Sequence, residues 1–165
     1  MRILAPVSAR QVDIGLFGLR VAAGTVFAAH GAQKLFSFGF DGVASAFGGM
    51  GVPFAGIVGP AVALLEFFGG IALVVGLLTR VVGFGLAANM LGAILLVHLP
   101  NGLFLPKGSE FALMLLAAAT TLTITGAGSF SLDSLINRSL ASRKGTAVPV
   151  TAVPSALDTP SRRIA

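Results

Sequence analysis

Apolar positions along the chain gather into four long runs, at about 12–32, 54–78, 81–99 and 110–125, with short polar or glycine-rich connections between them. A helix needs about 20 residues to cross ~30 Å of hydrocarbon, so the first three runs predict transmembrane helices. The fourth, at ~1.5 Å per residue, reaches only ~24 Å and must borrow flanking residues or sit where the bilayer is thin. Only Thr79 and Arg80 separate the second run from the third, which predicts an antiparallel hairpin. The expected fold class is therefore all-α: an integral membrane four-helix transmembrane bundle. Four spans return the chain to the side on which it started. Arg2, Arg10, Arg80, Arg138, Arg143, Lys144, Arg162 and Arg163 fall on that side, against Lys34 and Lys107 opposite, so both termini are expected to be cytoplasmic.

The connections carry expectations of their own. Residues 1–11 form an N-terminal tail. The 37–53 loop is too apolar for a solvated linker, and Asp41 is placed to cap a short helix with Val43, Phe47 and Met50 on an interfacial face. Over 126–142, Asp133 is placed to open a short membrane-proximal helix with Leu135, Ile136 and Leu140 toward the membrane. Residues 143–165 are rich in Pro, Thr, Ser and Ala and predict a disordered cytoplasmic tail. Arg20 interrupts the first apolar run, which is also long for a signal-peptide core, so a retained span is expected there.

Composition narrows the function classes. The chain has 165 residues, 55% hydrophobic and 10% charged, which is too apolar for an ordinary soluble domain. Its net charge of +5 comes from tails and hairpins rather than an interleaved basic and aromatic surface, so no nucleic-acid partner is expected. Membrane lipids are. The absence of cysteine excludes a disulfide, a thiolate nucleophile, an iron–sulfur cluster and covalently attached c-type haem. Redox chemistry in such a chain needs a noncovalent cofactor or a diffusing carrier.

Polar residues inside the apolar runs are the candidates for chemistry, because buried charges are costly and usually paired. Counting ~1.5 Å per residue from the terminal side puts Arg20 near ~12 Å, Glu66 near ~18 Å and Asn89 near ~12 Å. An intramembrane ion pair between Arg20 and Glu66 is therefore expected, with Asn89 beside it. It is either a structural clamp or a titrating site. Around Glu66, Gly59, Ala63 and Gly70 recur at helical spacing and allow close helix approach.

A second polar layer lies at the opposite end. His30 and Lys34 are four apart and share a helix face, with Gln33 beside them. His98 ends the third run at a similar depth, Asn101 and Lys107 follow in the hairpin, and Glu110 opens the fourth run. Singly, each has a bland explanation: Lys34 snorkels to the head groups, His98 rests in the interface, and Glu110 complements its helix dipole. Jointly, imidazole, amide, ammonium and carboxylate at one level can hydrogen-bond the oxygens of a quinone-like head group whose tail stays in lipid. Haem b between His30 and His98 is a competing chemistry, disfavoured because only two histidines exist and both lie toward the interface. His30, His98 and Glu110 lack the spacing signature of a metal site, so no metal is expected.

The stretches "LRVAAGTVFAAHGAQKLF", "LLEFFGGIALVVGLLTR", "NMLGAILLVHLPNGLFLPKGSEFALMLLAAA" and "GAGSFSLD" together resemble the DoxX family of bacterial four-helix membrane proteins. The elements that carry the likeness are His30, Gly31, Gln33 and Lys34; Glu66, Gly69 and Gly70; Leu78, Thr79 and Arg80; and His98, Asn101, Gly102 and Glu110. The resemblance spans about 18–135. It implies an inner-membrane protein in a family whose members often carry an oxidoreductase label and include the membrane part of a thiosulfate–quinone oxidoreductase. Other members are described as anchors for soluble redox-defence enzymes.

The function expected is a quinone-linked oxidoreductase subunit of the bacterial inner membrane. His30, Lys34 and Glu110 would be its catalytic groups, and Gln33, His98 and Asn101 would help bind the ligand. The alternative is a non-catalytic scaffold or stress-response subunit that recruits a soluble redox enzyme. Whether the chain also assembles with itself is left open by the sequence.

Overall fold

The structure, a computed structural model, describes residues 6–145 of the chain. Helix α1 (Ala9–Ala32) opens with a reciprocal cap: Gln11 N donates to Ser8 Oγ, and Ser8 N donates to Gln11 Oε1 at 2.8 Å. It runs without a break into a wide π-helical segment (Gln33–Phe38) and then into α2 (Gly39–Gly49). Next come α3 (Ala55–Val75) and α4 (Thr79–Ala93), the latter continuing as a second π-helical segment (Ile94–His98) and a 3₁₀ turn (Leu99–Asn101). Helices α5 (Glu110–Thr125) and α6 (Leu132–Gly145) complete the described residues.

Three helical stretches are long and apolar enough to span a membrane: Ala9–Gly49, Ala55–Val75 and Thr79–Asn101. The shorter apolar α5 packs along α4, giving the four-helix membrane bundle that the hydropathy pattern predicts. Its exterior is as apolar as its core. Phe36, Ile57, Phe68, Phe84, Met114 and Ile124 are exposed, whereas Phe27, Leu73, Leu86, Met90, Ala119 and Leu122 are buried against one another.

The closest seam joins α1 to α3, and it is made of glycine. A Cβ on Gly31 would collide with the backbone of Phe67, and one on Gly70 with that of Ala28. In lipid, where no hydrophobic effect drives helix to helix, such close approach supplies the dispersion contacts that hold the bundle. The α3–α4 hairpin turns at Gly76, whose φ of +73° lets Leu77 N donate back to Ala72 O at 2.9 Å.

The connections differ from expectation in detail. Asp41 does not cap α2: it lies in the first turn, and no side chain bonds the helix start. Val43 is buried, with its Cγ1 3.1 Å from where a Gly59 Cβ would be, so α2 packs on α3 rather than presenting Val43 to an interface. Asp133 does lie in the first turn of α6, but its carboxylate reaches across to cap α4, accepting from Leu78 N at 2.7 Å and Thr79 N at 2.9 Å. Residues 143–145, expected in the tail, extend α6; the rest of that predicted tail, 146–165, and the first residues of the N-terminal tail lie outside the described residues.

Candidate functional site

A cavity of about 570 Å³ lies among α1, α3, α4 and α5, bounded by Phe47, Met50 and Val52 at the α2 end. Most of its wall is apolar, including Phe27, Leu65, Met90 and Phe111, while His30, Lys34, Glu66, Asn89 and His98 are its polar members. That composition, apolar with a few polar groups, suits a ligand with a small polar head and a large apolar remainder.

Glu66 is the centre of the polar wall. Its side chain is 4% exposed, and both oxygens are taken: Lys34 Nζ donates to Oε2, and Asn89 Nδ2 donates to Oε1 at 2.9 Å. Three helices therefore meet on one carboxylate. Lys34, 20% exposed, is the more accessible partner and keeps further N–H donors for another acceptor. The expected partner of Glu66 was Arg20, and this is corrected: Arg20 donates instead to Ala127 O at 2.7 Å and Phe130 O at 2.6 Å, with its guanidinium over the Phe17 ring.

The physical reason is side-chain direction. Helical side chains lean toward their own N-terminus. Arg20 on α1 thus points toward the terminal end, where a Cβ on Gly76 would lie 2.5 Å from its guanidinium. Lys34, ~21 Å further along the same helix, leans back into the bundle. Glu66 belongs to α3, which runs the other way, so its carboxylate leans to meet the lysine.

Both histidines line the cavity. The His30 ring lies 5.8 Å from the Phe111 ring, centroid to centroid. His98 Nδ1 is 3.0 Å from Lys107 O; the tautomer that makes this bond carries its proton on Nδ1 and leaves Nε2 free to accept. Lys34 and His98 each lie in a π-helical segment, a distortion frequent at functional sites.

The other sequence candidates are not in the cavity wall. Gln33 is exposed on the α1 extension. Asn101 Nδ2 donates to Val97 O at 3.0 Å, and Glu110 Oε1 accepts from Leu105 N at 2.8 Å, so both are engaged in shaping the connection between α4 and α5. Conversely, Asn89 and Glu66, assigned from sequence to a separate inner layer, belong to the same cavity as His30 and Lys34. Among the described residues no group of three His, Asp or Glu side chains is placed to hold a metal ion.

Comparison with known proteins follows the same lines. The family model DoxX matches residues 15–99, and the model described as "TQO small subunit DoxD" matches residues 58–153. A Bacillus subtilis protein named "Putative oxidoreductase CatD" is 32% identical over 127 residues, covering 77% of this chain and 90% of its own length. An Escherichia coli protein named "Inner membrane protein YqjF" is 33% identical over 131 residues, covering 76% of this chain and 95% of its own. No solved structure matches significantly.

Proposed function

Since this chain belongs to the DoxX family of membrane proteins, we propose that it is a quinone-linked oxidoreductase subunit of the bacterial inner membrane, with its termini on the cytoplasmic side. The observation that carries this proposal is the Lys34–Glu66–Asn89 cluster on one wall of an otherwise apolar cavity. A quinone head group fits that chemistry, since its carbonyl oxygens accept hydrogen bonds and its ring and tail prefer apolar walls. The DoxD description "TQO small subunit" supports quinone as the carrier class.

Conversion of a quinone to a quinol takes two electrons and two protons. Lys34 would donate a hydrogen bond to a carbonyl oxygen and favour the negative charge that develops there. Glu66 holds the lysine in place, and Asn89 fixes the carboxylate. His30 and His98, both in the cavity lining, would pass the protons. With no cysteine the chain cannot form a persulfide, so electrons from a sulfur donor would arrive through a partner subunit or by outer-sphere transfer. Glu110, which holds the hairpin, acts here as a positioning residue.

Mass spectrometry of lipid co-purifying with the full chain in mild detergent tests the assignment. Quinone in proportion to protein, lost in Lys34→Ala while the variant still purifies as a monodisperse species, is the expected result. No quinone above membrane background in the wild type would refute it. The scaffold alternative is supported by the word "subunit" in the DoxD description, and truncation after Asp133 addresses its tail-docking form: a retained phenotype in deletion complementation would exclude docking through that segment.

A further inference from the structure

At the end of the bundle remote from the cavity, a groove of about 700 Å³ runs between the α3–α4 turn, the 126–129 loop and α6. Both carboxylates in it are engaged. Asp13 accepts from Ser129 N at 3.0 Å and from Ser129 Oγ at 2.6 Å, while Asp133 caps α4. Arg80 and Arg138 line the same groove, are exposed, and have no ion-pair partner among the described residues. Beside the guanidinium groups stand apolar side chains: Val81 is 70% exposed and Ile136 is 47% exposed. Cationic and apolar surface thus adjoin where the hydrocarbon-spanning segments end.

Helix α6 extends this surface. Beyond its first turn it packs along no other described helix, and Leu132, Leu135, Ile136 and Leu140 are exposed at positions that share one face. Ile136 joins that apolar face to the groove, while Arg138 lies on the polar side of the helix, so α6 can turn apolar surface to lipid and hold a guanidinium at the head-group level. A water-soluble anion would leave the apolar half of the groove uncovered, whereas a phospholipid covers both halves.

We propose that this groove is a binding site for an anionic phospholipid, with the phosphodiester between Arg80 and Arg138 and the acyl chains along Val81, Ile136 and the apolar face of α6. The site is independent of the cavity and of any quinone chemistry. Each basic residue close to an anionic lipid surface contributes about 1 kcal/mol, or about fivefold in affinity.

Native mass spectrometry of the full chain titrated with phosphatidylglycerol tests it, with phosphatidylcholine and inorganic phosphate as comparison probes. Retention of phosphatidylglycerol but not phosphatidylcholine is expected, weakened about fivefold in R80Q or R138Q and ~25-fold in the double variant, and largely kept in R80K/R138K. Unchanged retention in the double variant, or equal retention of phosphatidylcholine, would overturn the proposal. Displacement of the lipid by equimolar inorganic phosphate would do the same, leaving a simple anion site. Because Arg138 is exposed on α6, R138Q alone decides the matter if R80Q does not fold.

Discussion

Arg20 at one end of the bundle and Lys34 at the other are both cations drawn into an apolar interior, yet their surroundings differ in kind. Arg20 is 1% exposed and is bonded by two backbone carbonyls of the loop before α6. Lys34 is bonded by a carboxylate and lines a cavity. A charge packed into backbone carbonyls and shut off from solvent works as a clamp, although the Arg20 Nε–H itself is left without an acceptor. One held by a second titratable group, with space beside it, can exchange that partner for an incoming acceptor. By the general expectation that intramembrane charges mark function, Lys34 and Glu66 are the pair we propose for the site, and Arg20 is the clamp.

Substitutions can break this contrast, beginning with the clamp. Arg20→Ala leaves the Ala127 and Phe130 carbonyls without their charged donor, and should destabilise the protein by about 3 kcal/mol or more, read as a lowered unfolding midpoint in detergent. Gly31→Ala forces a methyl group into the Phe67 backbone and should cost about 1–3 kcal/mol, with the α1–α3 seam opened and the adjoining cavity altered. Asp133→Ala removes the cap on α4 and should cost ~1 kcal/mol without affecting ligand content at the far end. Glu110→Gln lies at the bottom of the scale. Its amide oxygen still accepts from Leu105 N, so stability and co-purified quinone should both stay near wild type. A large loss of quinone in Glu110→Gln would return that residue to the catalytic set.

The spans were legible because hydropathy survives without any knowledge of contacts: runs of about 20 apolar residues can do little else in a membrane. Lys34 and His30 were legible for a similar local reason, since four residues of helix place both on one face. What failed was pairing across helices. Depth alone made Arg20 and Glu66 neighbours, because counting residues locates a Cα and ignores which way the side chain leans. Adding the lean toward each helix's N-terminus redirects Arg20 away from Glu66 and brings Lys34 to it. The cap from Asp133 to Thr79, 54 residues apart, had no local signal beyond an acidic residue near a helix start. Glu110 was assigned to the site for its position in the outer layer, yet the hairpin before it leaves the Leu105 N–H in need of an acceptor, and the carboxylate meets that need.

The central claim is that a quinone head group sits against Lys34, Glu66 and Asn89, and photo-crosslinking with an azido-quinone in the reconstituted full chain tests it most directly. The account predicts adducts on cavity-wall peptides containing Met90 or Phe111, suppressed by excess unlabelled quinone and lost in Glu66→Gln. Adducts spread over lipid-facing residues such as Phe84 and Met114, insensitive to competitor and to Glu66→Gln, would contradict it.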